Sequence, residues 1–328
     1  MSLDLADLFT IELARSGIRL ATPILLAAIG GAICNRAGVL NFALEGMMLG
    51  GAFLGIVAAF WLGSSELGVV AALLAGAFIG LIFAFLYLRY KVDLVILALA
   101  LNLLIAELTV FLLRILFNAF GSWSDPSIKQ LPDLTIPVVA QIPVLGPLLS
   151  GHNVVVYLSW LAAIGAYVVL FHTKFGRHVR AVGENQAAAE AVGINVPSVK
   201  LFALVISGAL AAVGGAFLSV GHLTLFTREM SAGRGWLAVT AALFGLNHPI
   251  FVFFTSLFFG LADATAVRLQ TTTDIPPSLV QFLPNLAALL ALILIGLRGR
   301  LGERFARRRF RARARQQVAP SAPPVSGD

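Results

Sequence analysis

The sequence has a single cysteine, Cys34, and few charged residues. One cysteine excludes an internal disulfide and a cysteine-based metal cluster. Charged residues make up 12% of the chain and hydrophobic residues 59%, whereas soluble domains are roughly one quarter charged and about half apolar. The mean hydropathy of +0.92 therefore predicts an all-α polytopic membrane protein.

The motifs of several enzyme classes are also absent. A Walker A loop requires Gly-Lys, and no lysine of this chain follows a glycine. The five histidines show no metal-ligand spacing, and no Gly-x-Ser-x-Gly elbow occurs. Residues 233–238 formally fit a dinucleotide-binding glycine pattern, but they lie between apolar runs with no strand before them. We predict no catalytic residue, no metal and no cofactor, so any ATP hydrolysis would belong to another chain.

Apolar runs suitable for crossing a membrane recur along the chain. A span needs about 20 residues, and nine candidates lie at about 17–34, 39–62, 67–88, 93–117, 153–172, 201–221, 236–246, 250–270 and 278–297. The run 236–246 is too short to cross alone unless part of 225–235 joins it. Since 1–16 and 225–246 are ambiguous, the prediction is about nine spans, with eight to ten possible.

Three segments differ from the predicted membrane domain, 17–298. Residues 1–16 are amphipathic and are predicted to lie at the membrane interface; they lack the basic start of a cleavable signal peptide. The interval 118–152 is interrupted by five prolines and is predicted to be an external loop. The tail 299–328 is rich in arginine, then in Pro, Ala and Ser, and is predicted to be disordered.

Basic residues indicate the orientation. With nine crossings, the loops that carry Arg36, Arg89, Lys91 and 173–200 share one side with the arginine-rich tail, and the positive-inside rule makes that side cytoplasmic. The N-terminus is then outside. The arginine run would suit nucleic acid or anionic lipid; in a membrane chain it favours the lipid surface of the cytoplasmic side, and no nucleic acid partner is predicted.

Polar side chains inside apolar spans are the candidate site residues, because they are costly in lipid and should face the bundle or a watery path. They are Asn41, Glu45, Asn102, Glu107, Asp263 and Asn285. All except Asp263 are assigned to the substrate path, with Phe42 or Trp236 available for stacking. The alternative for each is a helix–helix hydrogen bond or an ion pair, such as Asp263 with Arg268 or Glu107 with Arg114.

Two further patterns indicate how the spans are organised. The polar interval 174–200 predicts a short alanine-rich helix that stops at Gly193, which suits docking of a partner, although any cytoplasmic loop is basic and polar. Residues 38–55 and 233–245 each place a small-residue-rich apolar stretch after a polar turn. This internal similarity predicts a two-half transporter core with discontinuous helices. A composition rich in Gly and Ala would also produce such a similarity.

Three stretches resemble the permeases of ATP-binding-cassette (ABC) importers, in the family's order and over most of residues 20–298. They are Gly-Glu-Asn-Gln-Ala-Ala-Ala-Glu-Ala-Val-Gly-Ile at 183–194, the segment 35–53, and Ala-Gly-Arg-Gly-Trp-Leu-Ala-Val-Thr-Ala-Ala-Leu-Phe-Gly at 232–245. The resemblance is to the branch that includes branched-chain amino acid, simple sugar and nucleoside permeases. Leu-Glu-Gly-Met-Met at 44–48 is typical of the sugar and nucleoside group.

This resemblance implies a subunit of a bacterial inner-membrane importer that works by alternating access. The implied partners are an ABC ATPase, a second permease (identical or different) and an extracytoplasmic substrate-binding protein. The implied ATPase-coupling residues are Gly183, Glu184, Asn185, Ala188, Gly193 and Ile194. A nucleoside or ribose-bearing solute is the first expectation, a simple sugar the second. One departure is the turn 246–249, where relatives are expected to carry a more basic residue. The rival hypothesis is an ion-coupled secondary transporter that uses Glu45, Glu107 and Asp263.

Overall fold

The computed structural model describes residues 11–137 and 145–272, together with Leu286 and Leu289. Helices dominate these residues, and the strands are only two residues long. In chain order the elements are α1 (Ile11–Arg36), α2 (Leu44–Leu62), α3 (Ser65–Tyr90), α4 (Leu94–Phe117), β1 (Ser122–Trp123), β2 (Asp133–Leu134), α5 (Leu145–Leu149), β3 (His152–Asn153), α6 (Val154–His172), α7 (Lys174–Glu184), α8 (Gln186–Ala191), α9 (Val196–Ala216), β4 (Phe226–Thr227), α10 (Arg234–Phe244) and α11 (Pro249–Thr272). A π-helical turn, Phe217–His222, continues α9.

Among the described residues, seven helices are long and apolar enough to cross a membrane: α1, α2, α3, α4, α6, α9 with its π-helical turn, and α11. They correspond to seven of the nine predicted spans. The short predicted run 236–246 is α10, which has 11 residues and is about 16 Å long, too short to cross alone. Apart from Leu286 and Leu289, the predicted span 278–297 lies outside the described residues. Asn285, the tail 299–328 and residues 1–10 also lie outside them. Residues 11–16 form the first turns of α1.

Hydrogen bonds that involve the loops between the helices show which loops lie at each end of the bundle. At one end, which we call the basic end, Arg36 Nε donates to the Asn247 carbonyl oxygen at 3.0 Å. At the opposite end, Arg15 Nη2 donates to the Gly151 carbonyl oxygen at 2.7 Å, and Gln130 Nε2 donates to the Gly221 carbonyl oxygen at 3.1 Å. Since Arg15 and Arg36 belong to one helix, α1 extends from the opposite end to the basic end.

The centre of the bundle is the antiparallel crossing of α1 and α9, two helices that are mostly buried. Cys34 Sγ donates to the Ala203 carbonyl oxygen at 3.2 Å, and a Cβ added at Gly30 would lie 2.8 Å from the Ser207 Cα. Small residues at such crossings let helix backbones approach closely. The chain therefore places its smallest residues where these two helices meet.

The helices on either side of this crossing show a two-half arrangement. In the first half, α1 is followed by a non-helical segment, by α2 and by α3; in the second half, α9 is followed by a loop, by α10 and by α11. The helix α3 packs on α9, and α11 packs on α1 in the corresponding way. Since α1 and α9 are antiparallel, the two halves are inverted relative to each other. This confirms the predicted two-half core with discontinuous helices.

We predict that Gly76→Val strongly destabilises the bundle. A Cβ at Gly76 would collide with the Gly208 carbonyl oxygen of α9, which is backbone and has no other rotamer. Overpacking typically costs about 1–3 kcal/mol, and a collision with backbone belongs at the upper end of that range. The measurement is the midpoint of heat denaturation of the solubilised protein. Gly165→Val is the control, because nothing lies within 4 Å of a Cβ at that position; equal midpoints for the two variants would contradict the prediction.

The described parts of the proline-rich interval 118–152 lie at the end opposite Arg36. Its strand β1 pairs antiparallel with β4, which places Trp123 opposite Phe226, and β2 pairs with β3. Trp123 also stacks on Phe117, with ring centroids 3.8 Å apart. These contacts attach the described parts of the loop to α4 and to the segment that follows α9.

Candidate functional site

The first discontinuity lies between α1 and α2, where the chain enters the bundle without helical structure. Asn41 in this segment is 2% exposed. Its Nδ2 donates to Ser207 Oγ at 3.0 Å, and its Oδ1 accepts from the Ala43 backbone N–H at 2.9 Å. The Asn41 side chain therefore holds the non-helical backbone against α9.

Asn102 of α4 supports the same discontinuity from the other side. Its Oδ1 accepts from the Gly46 N–H at 2.8 Å, and its Nδ2 donates to the Phe42 carbonyl oxygen at 2.9 Å. Backbone groups at a helix start have no partner inside the helix, and Ala43 supplies no side-chain cap. Asn102 replaces that missing cap.

The second discontinuity, at the start of α10, is held by Glu45. One carboxylate oxygen accepts from the Gly233 N–H at 2.9 Å, and the other accepts from the Gly235 N–H at 2.7 Å. A carboxylate at a helix N-terminus satisfies free N–H groups and interacts favourably with the helix dipole. A Cβ at Gly235 would lie 2.5 Å from the Glu45 Cα, so only glycine permits this approach. In a dinucleotide-binding protein, the glycine pattern would bind a phosphate. In this chain the Glu45 carboxylate takes that position at residues 233–238.

These contacts join the two discontinuities into one cluster, which we call the broken-helix site: Asn41, Glu45, Asn102, Gly233 and Gly235. Three predicted path residues, Asn41, Glu45 and Asn102, meet there. The sequence analysis did not predict that the Gly233 and Gly235 N–H groups belong to the site. The Gly-x-Gly spacing before an apolar helix could have indicated them.

Beside this site, Arg234 and Asp263 form an ion pair at 2.9 Å, with side chains 17% and 16% exposed. The suggested partner of Asp263 was Arg268 on the same helix. Five residues turn an α-helix through about 500°, so these two side chains leave α11 on different faces. The structure instead supplies the cation from α10.

Glu107 is not part of the broken-helix site. It pairs with Arg228 and not with Arg114, the partner that the sequence suggested. Its carboxylate is 3.4 Å from Arg228 Nη2, and the two side chains are 70% and 55% exposed. Arg114 instead lies over the Phe120 ring, 4.9 Å from its centroid. Seven residues separate Glu107 and Arg114 by about 10 Å along the helix axis, which makes a loop arginine the nearer partner.

Two aromatic rings flank the broken-helix site. Phe42 precedes α2 and Trp236 lies in the first turn of α10, with ring centroids 6.4 Å apart. Trp236 is 42% exposed. The two discontinuities therefore bring an aromatic pair to the outer side of the bundle, where one ring remains accessible.

At the basic end, α7 and α8 form a compact unit that the sequence predicted in part. Asn185 Oδ1 caps α8 by accepting from the Ala188 N–H at 3.0 Å. Gly193 has φ +83° and ends the unit, with the Ile194 N–H donating to the Ala189 carbonyl oxygen at 3.0 Å. Val192 beside it is 76% exposed. The short helix and its glycine stop are as predicted.

The α7–α8 unit contacts α1, and α1 contacts the turn after α10. A Cβ at Gly183 would collide with the Arg36 carbonyl oxygen. Arg36 donates from Nε to the Asn247 carbonyl oxygen and from Nη2 to the Leu246 carbonyl oxygen, at 3.0 and 3.2 Å. Asn35 Nδ2 donates to Asn247 Oδ1 at 2.8 Å. The turn 246–249, for which the sequence analysis expected a more basic residue in relatives, is thus held by α1.

His248 completes the packing of this turn. Its ring lies near those of Phe171 and Phe251, with centroids 5.1 and 5.0 Å away. Burial, together with the nearby Arg36 charge, lowers the pKa of His248. A neutral imidazole suits a position among aromatic rings and beside a cation.

Comparison with known proteins decides what kind of protein carries this arrangement. The family described as the permease component of the branched-chain amino acid transport system matches residues 13–297. The chain belongs to this family. It is 32% identical to the guanosine ABC transporter permease protein NupQ of Bacillus subtilis, over 83% of this chain and 88% of that protein. It is also 32% identical to the nucleoside ABC transporter permease protein NupC of Lactococcus lactis, over 84% and 89% of the two chains.

A sugar transporter subunit is similar as well. The glucose ABC transporter permease protein TsgB13 of Haloferax volcanii is 30% identical, over 82% of this chain and 73% of that protein. The permease is therefore a membrane subunit of an ABC transporter and not an enzyme. This confirms the family resemblance found in the sequence and favours it over the ion-coupled alternative.

Proposed function

We propose that the permease moves a nucleoside, or a related ribose or simple-sugar solute, across the bacterial inner membrane. The proposal is supported by Leu-Glu-Gly-Met-Met at 44–48 and by the named solutes of the relatives, which are guanosine, nucleosides and glucose. The observation that carries it is the Glu45 carboxylate, which joins both discontinuous helices at one point. Transporter sites are commonly built where discontinuous helices meet.

In this proposal, the substrate path passes the broken-helix site. Asn41, Glu45 and Asn102 fix the backbone on which the path is built, and Phe42 and Trp236 offer aromatic faces to a nucleobase or a sugar. Glu107 and Asn285 belong to the same proposed path. Glu107 lies nearer the outer end of that path. The path is completed by a second permease, since Trp236 faces outward from the single chain.

The proposed ATPase contact is the α7–α8 unit, with Gly183, Glu184, Asn185, Ala188, Gly193 and Ile194 as the coupling residues. The exposed face of α8 and Val192 suits a protein partner. The positive-inside rule places the basic end, and the tail, in the cytoplasm. The opposite end then faces outward, where a substrate-binding protein delivers solute.

The proposed mechanism transmits motion through contacts already described. ATP-driven movement of α8 shifts Gly183 against the Arg36 backbone, and Arg36 holds the turn that ends α10. The other end of α10 is held by Glu45. The helix α10 thus links the ATPase contact to the broken-helix site, and ATP binding favours the conformation to which the ATPases bind best.

The test is uptake of radiolabelled uridine, adenosine, ribose and leucine into vesicles that contain the permease and the products of neighbouring genes. We expect uptake only when ATP is supplied on the side of the membrane that carries the ATPase. We also expect one of the solutes to be taken up faster than the others. Uptake that does not depend on ATP but depends on a proton or sodium gradient would overturn the proposal. ATP-dependent uptake of a branched-chain amino acid alone would overturn only its substrate.

A further inference from the structure

A buried lysine lies at the basic end, beside the short helix α8. Lys200 is in the second turn of α9, and it is only 8% exposed. Lysine is almost never buried without a partner, because removing an ammonium group from water is costly. Among the described residues Lys200 forms no direct ion pair, so its partner is not a carboxylate.

The partner is the side-chain amide of Gln186 in α8. Lys200 Nζ donates to Gln186 Oε1 at 2.8 Å, and Gln186 Nε2 donates to Glu190 Oε1 at 3.1 Å. The amide oxygen thus faces the cation and the amide N–H₂ group faces the anion, and hydrogen bonds to charged groups are the stronger kind. We call Lys200, Gln186 and Glu190 the α8 anchor.

The helix α8 depends on contacts of this kind because it is short. It has six residues, and an isolated helix of that length is not stable in water. Only Ala189 of the six is buried. Gln186 and Glu190 are neighbours of Ala189 on one helix face, and both are exposed. Lys200 is therefore the buried member of the α8 anchor and attaches α8 to α9.

Tyr87, in the last turn of α3, provides a second contact for the same ammonium. Lys200 Nζ lies 6.0 Å from the centroid of the Tyr87 ring, at the outer limit of a cation–π interaction, about 6 Å. The helix α3 packs on α9. One side chain of α9 therefore contacts both α8 and α3.

From Lys200, α9 leads to the broken-helix site. Ser207 is seven residues further along this helix, a rise of about 10 Å and about two full turns, so the two side chains leave α9 on nearly the same face. Ser207 Oγ accepts from Asn41 Nδ2 at 3.0 Å. Because a helix moves as a rigid element over two turns, a tilt or rotation of α9 imposed at Lys200 also moves Ser207 and Asn41.

We propose that Lys200 is a positioning residue that transmits movement of α8 to α9 and thereby to Asn41. This inference rests on the proposed function, in which α8 contacts the ATPase. It adds a second route to the one through Arg36 and α10. The first route reaches the broken-helix site at Glu45 and the second reaches it at Asn41, so both discontinuities move in the same step.

The first test measures uptake of the preferred solute and ATP hydrolysis in the same vesicles. Lys200→Met keeps the apolar stem of the side chain and removes the ammonium donor. We expect the number of solute molecules taken up per ATP hydrolysed to fall about tenfold, the effect of losing one hydrogen bond to a charged group. Lys200→Arg keeps the charge and should retain part of this ratio. Lys174→Met is the matched control, because Lys174 is an exposed lysine at the start of α7.

Gln186→Ala tests whether the amide is the partner of Lys200. We expect a fall of about tenfold in the same ratio, and no further fall when Gln186→Ala is combined with Lys200→Met, because both substitutions break the same contact. If Gln186 acted only by touching the ATPase, the two losses would multiply in the double variant. That result would overturn the proposal.

A second test needs no transport. Hydrogen exchange of the Ala189, Val192 and Ile194 amides is measured in the full-length solubilised permease. These N–H groups bond to carbonyl oxygens of residues 185–189, and exchange requires those bonds to open. We expect exchange about tenfold faster than in the wild type for Lys200→Met, and unchanged for Lys174→Met.

The two tests separate this inference from the proposed function. Equal exchange in the wild type and Lys200→Met would overturn the α8 anchor. Uptake and hydrolysis that fall in equal proportion would overturn the transmission role, because loss of folded permease lowers both together. Wild-type uptake that does not depend on ATP would overturn the proposed function and the transmission role with it, while hydrogen exchange would still show whether Lys200 holds α8.

Discussion

Gly183→Arg is expected to abolish ATP-dependent uptake while the permease still reaches the membrane. The three atoms nearest to a Cβ at this position belong to backbone, the Arg36 carbonyl among them, so no side-chain rotation relieves the collision. The α7–α8 unit must move away from the end of α1, and the contact that leads to α10 is lost. We expect uptake to fall at least about a hundredfold, since a displaced coupling element stops the conformational cycle. Uptake and membrane abundance are measured side by side.

His178→Arg is the matched control for this variant. His178 lies on the same helix and is exposed, so it accepts a side chain of the same size without meeting backbone. The prediction fails if the two variants transport equally well. It also fails if Gly183→Arg is lost from the membrane, because the substitution would then act on folding rather than on coupling.

Glu45→Gln is expected to destabilise the broken-helix site and to reduce uptake about a hundredfold. The carboxylate accepts from the Gly233 and Gly235 N–H groups, and an amide offers one oxygen and a competing N–H₂ group. Hydrogen bonds to charged groups contribute about 1.5–3 kcal/mol each, so loss of this cap should cost about 3 kcal/mol. The start of α10 is freed as a result. Uptake and the denaturation midpoint are the measurements.

Glu66→Gln is the control for charge removal. Glu66 is exposed at the start of α3, and its contact is to Ser64 Oγ at 2.6 Å. We expect little change, because surface interactions of this kind contribute about 1 kcal/mol or less. If Glu45→Gln keeps full stability but makes uptake independent of a proton gradient, Glu45 would be an ion-coupling site and the capping role would be wrong.

Much of the permease follows from local sequence. The spans follow from runs of apolar residues, and seven of the nine predicted runs are long helices in the described residues. The helix α8 follows from its alanines, its Asn185 cap and its Gly193 stop. Even the two-half core was suggested by small residues after two polar turns. Each of these features depends on neighbours within one or two helical turns.

The partners of the intramembrane polar residues could not be predicted in this way. The pairs suggested for Asp263 and Glu107 lay on their own helices, yet both acids meet arginines from other segments, Arg234 and Arg228. The role of Asn102 as a cap for a different helix had no signal in its surroundings. Such partners depend on which helices are adjacent and at what depth they cross.

The sequence by itself determined a helical membrane permease, its basic end and the short helix α8, because hydropathy, charge and helix caps act over a few residues. Only the tertiary structure decided that Glu45 caps α10 and that Arg36 holds the turn at the other end of that helix. Those contacts join residues about 190 and 210 positions apart. They exist because glycines let the backbones approach closely enough for one carboxylate to reach two N–H groups on another helix.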